Sequence, residues 1–346
     1  MKVGVLGATG FTGEKLVEIL LSHPKVEVTY LASRTPHSVS YYEFFPKFKG
    51  KTDLKCEPLN IEKAAECADI LFLSLPHTVS MEYVPYLLKK GKKVIDLSAD
   101  YRLDSSLYKE YYGKQHEDKN NLAKAVYGLP EINEEKITKA GLVANPGCYP
   151  TSVILALFPL LRESLIDGKI IVDAKSSITG AGRKAVIDYH YSNISGNIWA
   201  YKPFVHQHTP EIKAVLTKST NKNIDILFVP HVVGVEAGIY STIYVSFKKK
   251  VTGSQIRKVY DKYYKQCPFI RLNNDSSPHQ KFWCGDLPKL KNVVGTNFCD
   301  IGFSVDYSGK NSVIVSCIDN LIKGAAGTAV QNMNIMAGWD QTLGLL

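Results

Sequence analysis

A glycine-rich segment near the start of the chain restricts its fold more than any other feature of the sequence. Residues 7–13 read GATGFTG, with the spacing G-x-x-G-x-x-G, and lie between an apolar strand at 3–6 and a helical pattern at 12–21. Glycines at such a junction let the backbone approach a pyrophosphate, which the helix N-terminus binds through its N–H groups. An ordinary tight turn is the alternative. The dinucleotide contacts expected here are Gly7, Thr9, Gly10, Phe11, Thr12 and Gly13.

The first 100 residues alternate apolar strands with helical patterns, which favours a parallel, doubly wound sheet. Further strands of this part are expected at 26–33, 69–76 and 93–98, and a later apolar strand is expected at 141–144. Beyond residue 150 a helix is expected first, and period-two alternation then indicates a mainly antiparallel sheet. The helix is expected at 151–161 and the strands at 170–176, 224–229, 238–247 and 293–305.

The end of the chain is expected to return to the first domain, through a strand at 313–318 and a helix at about 325–336. We therefore expect an α/β protein with two domains. Residues 1–147, completed by 320–346, form a Rossmann domain with a parallel sheet. Residues 148–319 form an α+β domain for catalysis and oligomerisation.

Composition narrows the classes of partner. The formal net charge of +9 is compatible with nucleic-acid binding, but the 42 basic residues are scattered, which favours an anionic small molecule or plain solubility. The seven cysteines are irregularly spaced without a C-x-x-C pair, so neither a disulfide framework nor a metal site is expected. No signal peptide and no apolar run of membrane-spanning length is seen, and we expect a cytoplasmic protein without membrane partners.

The end of the second strand indicates which dinucleotide is bound. NAD sites place a carboxylate there to bind the ribose hydroxyl. Here the sequence is LASRT, in which Ser33 and Arg34 offer a hydroxyl and a guanidinium that suit a 2′-phosphate. We therefore expect NADPH/NADP+ as the cofactor, unless Arg34 is merely a surface residue.

The sequence NPGCYPT at 145–151 contains the strongest candidate nucleophile. Cys148 follows an apolar strand and precedes a helix, and a helix N-terminus stabilises a thiolate through its dipole and its N–H groups. The other six cysteines lack this setting. A structural cysteine is the alternative.

A cysteine nucleophile needs a nearby proton carrier, and HQHTPE at 206–211 is the richest candidate. In an extended segment His206 and His208 would point the same way, with Glu211 orienting the loop. An exposed histidine pair is the alternative. Arg102 and Arg183 are candidate clamps for phosphate and carboxylate, although either is equally compatible with a surface charge.

At these residues the chain resembles the N-acetyl-gamma-glutamyl-phosphate reductases of arginine biosynthesis. GATGFTG, LSLPHTVS, DLSADYRL, YGLPE, NPGCYPT, GAGRK, HQHTPEI and KGAAGTAVQNMN follow one another in that family's order. The resemblance implies a fold like that of aspartate-semialdehyde dehydrogenase and a homodimer or homotetramer. It implies Cys148 as nucleophile and His206 as acid/base. The substrate contacts expected are Arg102, Asn145, Arg183, His208 and Glu211, and the further cofactor contacts are Ser33, Arg34, Pro76, Gly180 and Asn332.

The expected reaction is the NADPH-dependent reduction of N-acetyl-gamma-glutamyl phosphate to the semialdehyde and phosphate, through a thioester on Cys148. Two departures from the family concern the site, namely Ser152 where Gly or Ala is usual and Ala237 where Arg is more common. One alternative is a related reductase acting on carrier-bound aminoadipyl phosphate or aspartyl phosphate. Another is a non-catalytic dinucleotide sensor with a structural Cys148.

Overall fold

The computed structural model describes residues 1–273 and 287–346, and the chain divides into two compact units. The first unit contains Met1–Gly147 and Ala325–Leu346, and the second contains Cys148–Gly324. Of the seven cysteines, Cys284 lies outside the described residues.

The first unit is built around an eight-stranded sheet with the order β3-β4-β2-β1-β5-β6-β8-β7. Neighbouring strands are parallel except for β3 and β4, as the alternation of strands and helices predicts. Its strands are β1 (Lys2–Leu6), β2 (Glu27–Ser33), β3 (Val39–Ser40), β4 (Lys55–Pro58), β5 (Ile70–Leu73), β6 (Lys93–Asp96), β7 (Val126–Tyr127) and β8 (Leu142–Ala144). Its helices are α1 (Phe11–Leu21), α2 (Tyr41–Phe44), α3 (Ile61–Cys67), α4 (Ser80–Lys89), α5 (Ser105–Tyr112), α6 (Lys119–Leu122), α7 (Pro130–Thr138) and, from the C-terminal segment, α12 (Gly327–Met336).

The central strands of this sheet are apolar along their length because helices cover both faces. All four residues of β5 are buried, and α12 packs against α1 and α7 with every one of its residues buried. The predicted return of the C-terminal helix to the Rossmann sheet therefore has a physical basis, since a helix that is buried on every side needs a core around it.

The second unit contains a seven-stranded sheet with the order β10-β11-β9-β12-β15-β14-β13. It is mainly antiparallel, with parallel pairing only between β9 and β11 and between β13 and β14 among the described strands. Its strands are β9 (Ile166–Ser176), β10 (Ile198–Ala200), β11 (Ile226–Val233), β12 (Ile239–Phe247), β13 (Ile270–Leu272), β14 (Cys299–Val305) and β15 (Asn311–Ile318). Its helices are α8 (Cys148–Arg162), α9 (Tyr191–Ile194), α10 (His208–Thr220) and α11 (Gly253–Tyr264).

Two predicted elements need correction. The strand expected at 293–305 begins only at Cys299, after a short 3-10 turn at Leu290–Asn292. The strand expected to return to the first domain is β15, which pairs with β12 and β14 in the second sheet. A tight turn explains this, because Asp306 accepts hydrogen bonds from the backbone N–H groups of Lys310 and Asn311 and closes β14 and β15 into a hairpin.

Candidate active site

The glycine segment in the first unit is shaped by close approaches of the backbone. Gly7 has a φ of +89°, and a Cβ there would lie 2.1 Å from the Ser74 carbonyl oxygen. A Cβ on Gly13 would lie 2.2 Å from the Gly7 carbonyl oxygen. Gly10 is the N-cap of α1, which begins at Phe11. Both approaches admit only glycine, and they place the start of α1 where the backbone can meet a phosphate.

The predicted 2′-phosphate contacts lie at the end of β2. Arg34 is exposed, whereas Ser33 is buried and its side chain forms a hydrogen bond with Cys56 of the neighbouring strand β4. Pro76 is exposed on the segment that follows β5. The guanidinium is therefore the more accessible of the two expected groups at the end of β2.

Arg102 is half-buried and its guanidinium is tied to backbone. Its Nε donates to the carbonyl of Asn145 at 2.7 Å, and its Nη2 donates to the carbonyl of Leu97 at 2.7 Å. These bonds join the segments that follow β8 and β6. Arg102 thus holds the backbone three residues before Cys148. The sequence analysis expected Arg102 to bind substrate phosphate or carboxylate and did not include this contact.

Asn145 and Asn332 form a buried amide pair in the first unit. Asn332 Nδ2 donates to Asn145 Oδ1 at 3.0 Å and to the Gly128 carbonyl at 2.8 Å, and Asn145 Nδ2 donates to the Ala325 carbonyl at 3.1 Å. Asn332 Oδ1 is buried and has no hydrogen-bond partner among residues 1–273 and 287–346. A buried acceptor without a donor is costly, which points to a ligand group that donates there.

Cys148 is the first residue of α8 in the second unit and is half-buried. A Cβ placed on Gly324 would lie 2.9 Å from the Cβ of Cys148, so the backbone at Gly324 packs directly against the thiol-bearing residue. Cys148 therefore lies at a helix N-terminus, as the sequence predicts. The N–H groups of the first turn of a helix can stabilise negative charge there.

His206 lies in an aromatic box made by Tyr149, Tyr201, Phe228 and His208, with ring centroids 4.9–5.6 Å from its own. Only 4% of His206 is exposed. Burial, and secondly the charge of Lys202, lower its pKa to about 4. His206 is therefore neutral near pH 7.

The protonation of the His206 ring follows from its backbone contact. The N–H of His208 donates to His206 Nδ1 at 3.1 Å. A ring nitrogen that accepts a hydrogen bond carries no proton, so the proton of the neutral ring lies on Nε2.

The aromatic box also relates His206 to the nucleophile. The Tyr201 hydroxyl donates to the Tyr149 hydroxyl at 3.4 Å, and Tyr149 follows Cys148 directly in the chain. Burial raises the pKa of both tyrosines, and negative charge on Cys148 raises it further. The thiol and the imidazole thus share two tyrosine neighbours. One of them, Tyr201, lies in no motif that the sequence analysis could have used to find it.

The second histidine differs from its expected setting. His208 begins α10 rather than continuing an extended segment, and Glu211 lies buried in the first turn of that helix. The rings of His206 and His208 are nevertheless adjacent. The helix brings them together, because the backbone turns at Gln207.

The segment after β9 carries Gly180 and Arg183, both of which are exposed. It is held by Asn320, whose Oδ1 accepts from the Ser177 hydroxyl at 3.0 Å and from the Gly238 N–H, and whose Nδ2 donates to the Thr179 hydroxyl. Asn320 is buried and was not among the predicted site residues. Sequence spacing gives no signal for it, because its partners lie 82 to 143 positions away.

Comparisons with known proteins agree over the whole chain. Residues 2–140 match the NAD-binding domain of semialdehyde dehydrogenases, and residues 148–320 match their dimerisation domain. N-acetyl-gamma-glutamyl-phosphate reductase of Alkaliphilus metalliredigens is 46% identical, covering 100% of this chain and 98% of the relative. The reductase of Pelotomaculum thermopropionicum is 44% identical, covering 100% and 97%.

The chain belongs to the N-acetyl-gamma-glutamyl-phosphate reductase family. The resemblance inferred from the sequence motifs is thereby confirmed, and with it the class of NADP-dependent phosphorylating semialdehyde dehydrogenases. Aspartate semialdehyde dehydrogenase II of Vibrio cholerae, complexed with ASA, has the same fold, with a TM-score of 0.72 at 19% identity over 97% of this chain and 98% of that one. The Candida albicans enzyme with NADP gives a TM-score of 0.71 at 17% identity, over 97% and 98%. The predicted fold class is confirmed.

Among the helices that the structure describes, none is long and apolar enough to cross a membrane. No group of three or more His, Cys, Asp or Glu side chains is placed to hold a metal ion in residues 1–273 and 287–346.

Proposed function

We propose that this member of the reductase family converts N-acetyl-gamma-glutamyl phosphate to N-acetyl-glutamate 5-semialdehyde and phosphate, with NADPH as reductant. The observation that carries the proposal is the position of Cys148 at the first residue of α8, with a buried, neutral His206 beside the tyrosines that adjoin the thiol. A thiolate at a helix N-terminus is a nucleophile suited to an acyl phosphate.

The proposed mechanism begins at the Cys148 sulfur. The thiolate attacks the acyl carbon, the carbon–oxygen bond to phosphate breaks, and a thioester remains on the enzyme. NADPH held by residues 7–13 would supply the hydride that the thioester carbon accepts, which gives the anion of a hemithioacetal. That anion expels the Cys148 thiolate as its carbon–oxygen double bond forms. Backbone N–H groups at the start of α8 would stabilise the negative charge on that oxygen.

His206 is proposed as the acid/base residue of this sequence. With its proton on Nε2, the neutral ring donates a hydrogen bond to the substrate oxygen that gains negative charge. The Nδ1 contact with the backbone of His208 fixes the ring orientation, and the aromatic box excludes water. His208 is proposed as a substrate contact.

The residues of the first unit fit a nicotinamide dinucleotide. Residues 7–13 would hold the pyrophosphate, Arg34 and Ser33 the 2′-phosphate, and Asn332 the carboxamide, whose amino group would satisfy Oδ1. Pro76 and Gly180 are proposed as further contacts. The unsatisfied Oδ1 of Asn332 supports a hydrogen-bond donor of the cofactor beside this side chain.

The substrate contacts are proposed to be Arg102, Asn145, Arg183, His208 and Glu211. The guanidinium of Arg102 is oriented by the hydrogen bonds that it donates to the carbonyls of Asn145 and Leu97. Arg183 lies on the exposed segment that Asn320 holds, and it is the second candidate for binding the substrate carboxylate or phosphate.

We further propose that residues 1–147 with 320–346 bind the cofactor, that 148–319 carry catalysis and association, and that the enzyme is a cytoplasmic homodimer or homotetramer.

An apolar row crosses the outer face of the second sheet, in which Leu227, Ile171, Tyr244 and Val313 are successive cross-strand neighbours. Ile171 is 41% and Tyr244 43% exposed. An exposed apolar row of this kind favours burial against a second copy.

The decisive experiment follows NADPH formation from N-acetyl-glutamate semialdehyde in the presence and absence of phosphate. Phosphate-dependent turnover is expected. Aspartate semialdehyde and a carrier-bound aminoadipate semialdehyde serve as comparison substrates, and faster turnover of either would replace the proposed substrate. Turnover that does not need phosphate would refute the acyl phosphate chemistry.

A further inference from the structure

The glycine segment of the first unit has a support that comes from outside its own strand and helix. Tyr41 is the first residue of α2, and its hydroxyl donates a hydrogen bond of 2.8 Å to the backbone carbonyl of Ala8. Both residues are fully buried. A side chain 33 positions away in the chain therefore contacts the backbone that is expected to meet the dinucleotide.

The backbone groups that precede the Ala8 carbonyl in the segment form hydrogen bonds with other backbone groups. The N–H groups of Gly7 and Ala8 both donate to the Ala32 carbonyl, at 2.8 and 2.9 Å, and the Gly7 carbonyl accepts from the N–H of Gly10 at 3.3 Å. The Ala8 carbonyl is the next group along the chain, and a side chain binds it. Tyr41 thus decides the orientation of the peptide plane between Ala8 and Thr9.

The orientation of that peptide has a consequence for phosphate binding. In a planar trans peptide the carbonyl and the N–H point in opposite directions. With the Ala8 carbonyl directed into the core towards Tyr41, the N–H of Thr9 points away from the core. Thr9 is half-exposed and lies two residues before the start of α1, where the helix dipole favours an anion.

The position of the Tyr41 hydroxyl is itself well defined. The Tyr41 ring packs against the rings of Phe45 and Phe48, with centroids 5.3 and 5.1 Å away, and its backbone N–H donates to the Leu54 carbonyl. The segment between β3 and β4 therefore forms an aromatic cluster that presents one hydroxyl to the glycine segment.

We propose that Tyr41 is a positioning residue for dinucleotide binding, whose hydroxyl turns the Thr9 N–H towards the pyrophosphate. The proposal rests on the cofactor role of residues 7–13. NADPH and NADH share the pyrophosphate and differ only at the ribose 2′-position. Loss of the hydroxyl must therefore weaken both by the same factor, unlike a change at Arg34.

The test is Tyr41→Phe, which keeps the ring and removes only the hydroxyl. Dissociation constants for NADPH and NADH are measured on the full chain by nucleotide fluorescence titration, together with kcat at saturating NADPH and the melting temperature. Both dissociation constants are expected to rise about 3- to 10-fold, the effect of losing one hydrogen bond, while kcat changes little. Arg34→Ala is expected to weaken NADPH alone.

Tyr260→Phe is the matched control, because it removes another buried hydroxyl that donates to a backbone carbonyl, that of Ala156, at 2.6 Å. It is expected to leave both dissociation constants unchanged. Unchanged binding in Tyr41→Phe, weakening of NADPH alone, or an equal weakening in Tyr260→Phe would each overturn the proposal. Failure of the wild type to bind either dinucleotide would overturn the cofactor assignment as well.

Discussion

At the scale of single residues, the site depends on two groups held in defined states. Cys148 gains its chemistry from the N-terminus of α8, and His206 loses its charge through burial. Since the pKa of His206 is lowered to about 4, the ring becomes protonated only when the pH falls towards that value. In the neutral state its single N–H, on Nε2, is a donor, which suits an oxygen that becomes negative during reduction.

The first prediction concerns the nucleophile. Cys148→Ser keeps the size of the side chain but offers an alcohol that is scarcely ionised at neutral pH, so turnover is expected to vanish while NADPH still binds. Steady-state kinetics and nucleotide fluorescence titration measure the two effects. More than a few percent of wild-type turnover would exclude covalent catalysis at this residue.

The second prediction concerns the two histidines. His206→Asn removes the imidazole but leaves the thiol, and kcat is expected to fall by about 10²–10⁴-fold. His208→Asn serves as the matched variant and is expected to lower kcat less, since its backbone N–H still orients His206. The melting temperature of each variant checks the fold. A larger loss in His208→Asn would require the two roles to be exchanged.

At the scale of elements, α8 is fixed on the second sheet by a group of buried hydroxyls. The hydroxyl of Ser152, one turn after Cys148, lies within hydrogen-bond distance of the hydroxyls of Ser241, at 2.9 Å, and Ser316, at 3.0 Å. Those two serines face each other on β12 and β15, and all three are fully buried. The hydroxyl of Ser152 therefore has a structural role, because it satisfies polar groups on two strands that pack against α8.

The third prediction follows from this hydroxyl group. Ser152→Ala leaves two buried hydroxyls without their shared partner, at a cost of about 1 kcal/mol, which lowers the melting temperature by about 2–4 °C. Ser246→Ala is the control, because that exposed hydroxyl lies on the same strand β12. Calorimetry compares the two variants. Equal melting temperatures would show that the buried hydroxyls contribute nothing to stability.

At the scale of the whole molecule, the second sheet has one face covered by helices and one that carries the apolar row through Ile171 and Tyr244. Helices α8, α10 and α11 lie together on the covered side, where α8 packs on β12 and β15. The period-two burial of β9 and β12 reflects this asymmetry. The match to a dimerisation domain over residues 148–320 is consistent with association through the opposite face.

The fourth prediction tests that face. Tyr244→Asp places a charge in the apolar row and is expected to shift the protein towards monomers, because burying an unpaired charge in an interface is costly. Tyr307→Asp is the control, since Tyr307 is fully exposed in the turn between β14 and β15. Light scattering coupled to gel filtration measures the mass. An unchanged mass for Tyr244→Asp would place the interface elsewhere.

Much of the fold and the local setting of the nucleophile could be predicted from the sequence, because these features depend on residues close together in the chain. The glycine segment, the alternation of strands and helices, and the helix that begins at Cys148 all show as short-range patterns of glycine, apolar and capping residues. Motif order further identified the family, which the comparisons confirmed.

Only the tertiary structure decided the features that join distant residues. It placed β15 in the second sheet, brought Tyr201 to His206, tied Asn320 to the segment after β9, and directed Tyr41 at the Ala8 carbonyl. The physical reason is the same in each case. A period or a motif records how a residue meets its chain neighbours, whereas a buried hydrogen bond or a strand pairing depends on which distant segment the fold delivers to it.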